Sequence, residues 1–273
     1  MKTIACIYCE GNDTKLAVVG QDKNGSRLEV LSTASVDVVS NKSSLHPTAG
    51  FNLEGDGLQL EGVESKDTAL GGEDIDAPSI SSIGAALKGV NINKLEFIPA
   101  LTEPAIYYHA FDGKKDLKGS KLLDEIISDI RQTKGMNIER ESIDYTELSD
   151  GSLLSAFVDG PVACVNLTDN IAGYFGKKFF KVPTIKSADI ALAYYVAKRK
   201  KFFPDDQSLV VYIGKEYSKL IFLQGRKLKH IGTTLDIGTT NLHTYDVYFS
   251  KILLEMENGG ITSLDNIIVC GED

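Results

Sequence analysis

The chain has no tryptophan and only four histidines, four cysteines and three methionines in 273 residues. Each scarcity excludes something. No histidine clusters with the cysteines, so no nitrogen and sulfur ligand set stands at zinc-site spacing. Cys6-x-x-Cys9 has redox or half-zinc spacing, yet it lies in a strand-like run where residues three apart point to opposite faces. Cys164 and Cys270 also fall in apolar strand-like runs, so all four read as buried free thiols. Positive charge is in deficit too: 29 Lys and Arg against 38 Asp and Glu give a net charge of -9. That balance argues against nucleic acid as a partner, since phosphate backbones demand a basic face. No apolar run approaches ~18 residues, so nothing reads as a membrane span. The short apolar run at Met1–Cys6 lacks a signal-peptide cleavage pattern and reads as a first core strand.

What is present is strand-forming sequence, arranged twice. With 42% hydrophobic residues the chain has enough apolar surface for one large core or two lobes. Leu209–Ile213, Lys219–Leu223 and Arg226–Ile231 are β-branched and aromatic runs, the last two joined by a Gln224-Gly225 turn. Near the N-terminus, Ile7-Tyr8-Cys9 leads through Glu10–Thr14 into Lys15–Val19. In both places a Tyr precedes Lys-Leu by seven residues: Tyr8 to Lys15-Leu16, and Tyr212 to Lys219-Leu220. Thr14 aligns with Ser218. A strand, a small-residue loop and a return strand, duplicated about 200 residues apart, predict two similar lobes facing one another.

These hairpins resemble the phosphate hairpins of the actin-like ATPase superfamily (actin, Hsp70, sugar kinases), and most closely the PilM and FtsA type. The resemblance implies a two-lobed α/β, ribonuclease H-like fold with an inserted small α/β subdomain and a shortened second lobe. It places the first lobe at 1–104, with an acidic, Gly-rich loop at about 42–78. The inserted subdomain falls at 105–183, a helix returning to the first lobe at 184–205, and an incomplete second lobe at 206–273. Family members carry Asp-x-Gly at the start of each loop. Here those slots hold Tyr8-Cys9-Glu10 and Tyr212-Ile213-Gly214, so both acids are Tyr and one glycine is Glu. The degenerate phosphate-loop positions are Tyr8, Glu10, Gly11, Thr14, Tyr212, Gly214 and Ser218.

Along the rest of the chain, Arg27–Val39 alternates like further strands, and 54–76 holds eight acids against a single Lys66. Such a segment has little to bury and reads as a solvated loop or a small flap, without the register of a calcium loop. Ser79–Leu87 predicts a helix, Leu95–Leu101 a strand stopped by its prolines, and Ser120–Lys134 an amphipathic helix capped by Ser120 and ended by Gly135. Ile143–Leu148, Ser152–Phe157, Val162–Val165 and Val182–Ile185 read as strands, Asn170–Phe175 as a helix, and Ser187 as the cap of a helix from Ala188 to Lys200. Leu235–Thr240 spells a phosphate-loop consensus. Helical spacing of Leu242, Tyr245, Phe249, Ile252, Leu253 and Met256 makes it a strand-to-helix junction instead. Asn266–Cys270 reads as a buried strand, and its Gly271 resembles the family's adenosine motif. Asp236, Gly238, Thr239 and Gly271 are the candidates for residual nucleotide contact. Lys15 and Lys219, on alternating strand positions, read as solvated.

A phosphoryl-transfer site needs an acid to order Mg²⁺ and loop amides that approach phosphate closely. Tyr8 and Tyr212 supply no metal ligand at neutral pH, since a phenol titrates near ~10, and Glu10 puts negative charge at the loop. The expectation is therefore a non-catalytic scaffold without metal or cofactor. By resemblance it sits at the cytoplasmic face of the inner membrane and binds a short tail of a membrane protein. The alternative is an ATPase or kinase of the same fold whose site residues outside this sequence complete.

Overall fold

The computed structural model describes residues 2–10, 13–22, 25–35, 77–112, 116–160, 162–241 and 245–271. The acidic loop and Gly11 lie outside the described residues. The first sheet has the order β3-β2-β1-β4-β8. Its strands are β1 (Lys2–Glu10), β2 (Asp13–Asp22), β3 (Gly25–Ser35), β4 (Leu95–Leu101) and β8 (Lys186–Ser187). The second has the order β11-β10-β9-β12, from β9 (Gln207–Ile213), β10 (Ser218–Gln224), β11 (Lys227–Ile231) and β12 (Asn266–Gly271).

The duplication read in the sequence holds at the level of register. β1 pairs antiparallel with β2 and parallel with β4; β9 pairs antiparallel with β10 and parallel with β12. Tyr8 sits directly across from Lys15, and Tyr212 directly across from Lys219. The recurring Tyr-to-Lys spacing is thus a cross-strand pair. Both second strands are irregular at the same place, at Val18/Val19 and Phe222/Leu223, three residues beyond the paired lysine.

A third sheet, ordered β5-β7-β6, comprises β5 (Tyr107–Phe111), β6 (Ile143–Glu147) and β7 (Leu153–Phe157). Helix α2 (Ser120–Lys134) covers it, burying Leu122, Ile126, Ile127 and Ile130 against Phe111, Ile143 and Phe157. Gly135 ends α2 in the left-handed region (φ 70°), as read, but Gly119 rather than Ser120 precedes the first turn. Helix α1 (Ala77–Ala86) begins two residues before Ser79, where the sequence places its start.

The strand read at Val162–Val165 is instead helical, continuous with the helix read at Asn170–Phe175. Both belong to a single helix, α3 (Ala163–Tyr174), which packs on α1, β1 and β4. A short apolar run is ambiguous between strand and buried helix, and burial of Cys164, Leu167, Ile171 and Ala172 decides for helix. Pro99 also fails to stop β4. Phe97 donates its N–H to Lys181 O; Pro99, two residues on, turns its donorless nitrogen to the same side, before β8 pairs at Ala100.

Helix α4 (Ala188–Arg199), capped by Ser187 Oγ accepting from Ile190 N at 3.1 Å, lies against β4 and β8 on one side and β10 and β11 on the other. Its Ile190, Ala193 and Val196 join Ala5, Ile7, Val210, Ile221 and Leu228 in one core spanning both lobes. On the far face of the second sheet, Leu209, Val211, Leu220 and Phe222 pack with residues of α5 (Tyr245–Asn258). β12 departs from its expected burial: Ile268 and Cys270 pack inward, while Ile267 and Val269 are more than half exposed.

Candidate functional site at the junction of the two hairpin loops

The end of β1 and the loop after β9 meet. Glu10, the last residue of β1, is 5% exposed although it is a carboxylate at a strand end. Its Oε1 accepts the backbone N–H of Lys215 at 2.8 Å, and its Oε2 accepts the Tyr212 hydroxyl at 2.8 Å. Tyr8 OH lies 3.5 Å from Oε2, and Lys15 Nζ 3.9 Å. Tyr8 and Tyr217 share a hydroxyl–hydroxyl hydrogen bond across the same junction. Burial, reinforced by neighbouring phenols and Glu10, holds Tyr8 above the ordinary phenol value, and burial does the same for Tyr217. Both therefore stay protonated and hydrogen-bonded rather than acting as anionic metal ligands.

Gly214 explains the loop's composition. A Cβ added there would stand 1.9 Å from Glu10 Oε1, so only glycine lets the carboxylate seat itself on the loop. One loop amide of the second lobe, Lys215 N, is thus taken by the Glu10 carboxyl group of the first lobe. A phosphate does not fit this arrangement while Glu10 occupies Lys215 N, and Tyr8 and Tyr212 offer phenol hydroxyls rather than carboxylates to Mg²⁺. Among the described residues no group of three or more His, Cys, Asp and Glu side chains is placed to hold a metal ion.

A second polar cluster ties the lobes beside the first. Lys219 is 0% exposed, not solvated as its strand position suggested. Its Nζ reaches Glu103 Oε2 at 2.5 Å, Thr234 Oγ1 at 2.8 Å and Asp189 Oδ2 at 3.8 Å. Glu103 also accepts from Thr234 N and Oγ1, at 3.2 and 2.9 Å. Asp189 accepts from Tyr108 OH at 2.6 Å and from Thr102 Oγ1 at 3.1 Å. Burial pushes the Asp189 carboxyl up, against the opposing pull of Lys219 and of the two hydroxyls. Glu103 and Asp189 were not among the residues read as functional. The usable signal for Glu103 was its place just past the C-terminal end of a central strand, where sites of open α/β sheets gather. Asp189 carried none, because an acid in a first helical turn reads as a dipole partner.

The remaining candidates are dispersed. Thr14 and Ser218 are buried at the starts of β2 and β10, and Ser218 Oγ donates to Ile237 O. Asp236 is exposed; the buried carboxylates between the lobes are Glu10 and Asp189. Gly238 and Thr239 dock on the β9–β10 loop, Thr239 N donating to Gly214 O at 2.9 Å, and a Cβ at Gly238 would stand 2.4 Å from Lys215 O. This segment buttresses the loop that holds Glu10. Gly271 ends β12 at φ 138°, pressed against Ile213 O. Cys164 lies on a helix, not a strand, and a hydrogen bond with Cys9 draws the Cys9 thiol below its ordinary value.

No protein-family model matches the sequence, and no curated protein is similar to it. Among solved structures, the PilM–PilN type IV pilus biogenesis complex is similar with TM-score 0.50 at 17% identity, covering 93% of this chain and 73% of that one. A Bacteroides thetaiotaomicron protein with the actin-like ATPase fold and unknown function covers 100% of this chain and 83% of its own, with TM-score 0.49 and 8% identity. An exopolyphosphatase from Cytophaga hutchinsonii covers 99% and 67%, with TM-score 0.45 and 12% identity. No helix among the described residues is long and apolar enough to cross a membrane. Identities this low speak to architecture alone: the chain has the actin-like ATPase fold.

Proposed function

We propose that this chain is a non-catalytic actin-like scaffold whose interlobe cleft is closed by its own Glu10 carboxylate. One observation carries the reading: Glu10 takes the anion position of the opposite loop, bonded to Lys215 N and Tyr212 OH beneath Gly214. A nucleotide phosphate entering there must expel a buried, hydrogen-bonded carboxylate. It must also find Mg²⁺ ligands among phenols. The function left to a locked pair of lobes is to present surfaces. Because the similar PilM is solved in complex with PilN, a protein is the partner class that fits. The outer strand β5 of the small sheet, with Tyr107 45% exposed, is an edge to which an extended peptide adds by backbone pairing. Such a scaffold would work in the cytoplasm at the membrane face, where membrane-protein tails emerge.

Isothermal calorimetry with Mg-ATP on the full chain tests the reading. The expected result is no binding tighter than roughly millimolar, and phosphate release no faster than a protein-free blank. Saturable micromolar binding would overturn it in favour of an ATPase or kinase.

A further inference from the structure

The acidic chain carries one dense run of positive charge, Lys198-Arg199-Lys200-Lys201, followed by Phe202-Phe203-Pro204. α4 ends at Arg199, and all four cations are exposed. None of the four forms an ion pair with a described residue; Arg199 instead stacks on Tyr195, its guanidinium carbon 5.1 Å from the ring centre. The turn that follows is braced. Phe203 N donates to Asp206 Oδ2 at 2.9 Å, Asp206 N to Phe203 O at 3.2 Å, and Gly225 N to Asp206 O at 2.8 Å. On this rigid turn Phe203 stands 79% exposed, the most exposed large apolar residue described. Gly225 lies against Pro204, which brings Arg226 and Lys227 alongside. Together with Phe202, Pro204, Ser149 and Gln224 they line an open hollow of about 430 Å³. Nearby acids are subdued: Asp206 is turned onto Phe203 N, and Glu147 is paired with Lys227 at 2.8 Å, leaving Asp205 exposed.

We infer that this patch docks the protein on an anionic lipid bilayer, Phe203 entering the interface and the cations taking the headgroup phosphates. Unpaired cations contiguous with a phenyl ring held outward match a surface that is negative at its headgroups and apolar just beneath. A long polyanion fits less well. It would run on over the remaining surface of a chain of net charge -9, whereas a bilayer meets the protein at one patch. The inference uses no residue of the closed cleft, and it gives the proposed scaffold its means of reaching a membrane.

The test is co-sedimentation of the full chain with phosphatidylcholine vesicles with and without phosphatidylglycerol. Binding is expected only to the anionic vesicles and should fade as ionic strength rises from about 0.1 M to 1 M. Each Lys or Arg at such a surface contributes about fivefold, so Lys200→Glu with Lys201→Glu should weaken binding by about 25-fold or more. Phe203→Ser should weaken it several-fold without changing the salt dependence. All three positions are exposed, so an unchanged melting temperature checks that the variants fold. Absence of binding to anionic vesicles, equal binding to neutral ones, or binding indifferent to both variants overturns the inference. So does capture of RNA or polyphosphate through the same cations without vesicle binding. Neither variant touches nucleotide affinity, so failure here and failure of the scaffold reading are separately visible.

Discussion

Glu10 and Gly214 form one unit, and the unit is testable by a double-mutant cycle. Gly214→Ala places a methyl 1.9 Å from Glu10 Oε1, so the carboxylate must leave its seat and Tyr212 OH and Lys215 N lose their acceptor. The expected cost is about 1–3 kcal/mol by chemical denaturation, the range for a buried donor left unpaired. Glu10→Ala should cost a similar amount. The double variant should cost little more than either alone, since both remove one contact; additive costs would show that the two residues do not meet. Glu10→Ala also empties the anion position, and inorganic phosphate should then raise its melting temperature while leaving that of the parent chain unmoved.

Asp189 sets a pH dependence of definite sign. Burial holds its carboxyl above the ordinary value of 3.8, partly opposed by Lys219 and the Tyr108 and Thr102 hydroxyls. The native state therefore binds this proton more tightly than the unfolded chain. The associated stability is full below the unfolded value and is lost as pH rises through the folded one. Asp189→Asn removes the titration. Its melting temperature relative to the parent should climb as pH is raised from about 4. A difference that is flat or falls with pH refutes the assignment.

At the scale of elements, the three-stranded sheet and α2 form a cluster of their own, with Phe111, Leu122, Ile126, Ile130, Ile143 and Phe157 buried apart from the interlobe core. Ile126 is 0% exposed at its centre. Ile126→Ala should cost about 2–5 kcal/mol. Because that core is separate, hydrogen exchange should accelerate first over 107–157 and leave β1 and β9 protected. Uniform acceleration through both lobes would show the clusters to be one cooperative unit. α2 was legible because its apolar positions repeat at helical spacing and a glycine closes it. α3 was not, because Val162–Val165 alone matches either period and only packing against α1, β1 and β4 selects the helix.

At the scale of the whole molecule, the lobes share a core through α4 and two polar ties, one at Glu10 and one at Lys219. Lys219→Met keeps the volume but leaves Glu103 and Asp189 without their cation. The expected loss is about 3–5 kcal/mol, in a single cooperative denaturant transition, because both lobes contribute to the tie. A loss near that of an exposed pair, below about 1 kcal/mol, would show the lysine to be solvated after all.

The sequence by itself determined the two hairpins, their turns and the presence of Tyr8, Glu10 and Tyr212 beside them. These are local matters: period-two burial, a positive-φ glycine and the identity of one side chain are written within ten residues of each other. It also carried the duplication, since two sheets of the same order and register need the same short pattern twice. Only the tertiary structure decided where Glu10 points, that Lys219 is buried, and that Glu103 and Asp189 surround it. Those outcomes depend on residues 30 to 205 positions apart being brought face to face. A carboxylate at a strand end looks like repulsion toward phosphate until the opposite loop supplies its N–H. A lysine opposite a tyrosine looks solvated until a second lobe closes over it. Charge and hydrogen-bonding capacity are properties of the residue, but their partners are properties of the fold.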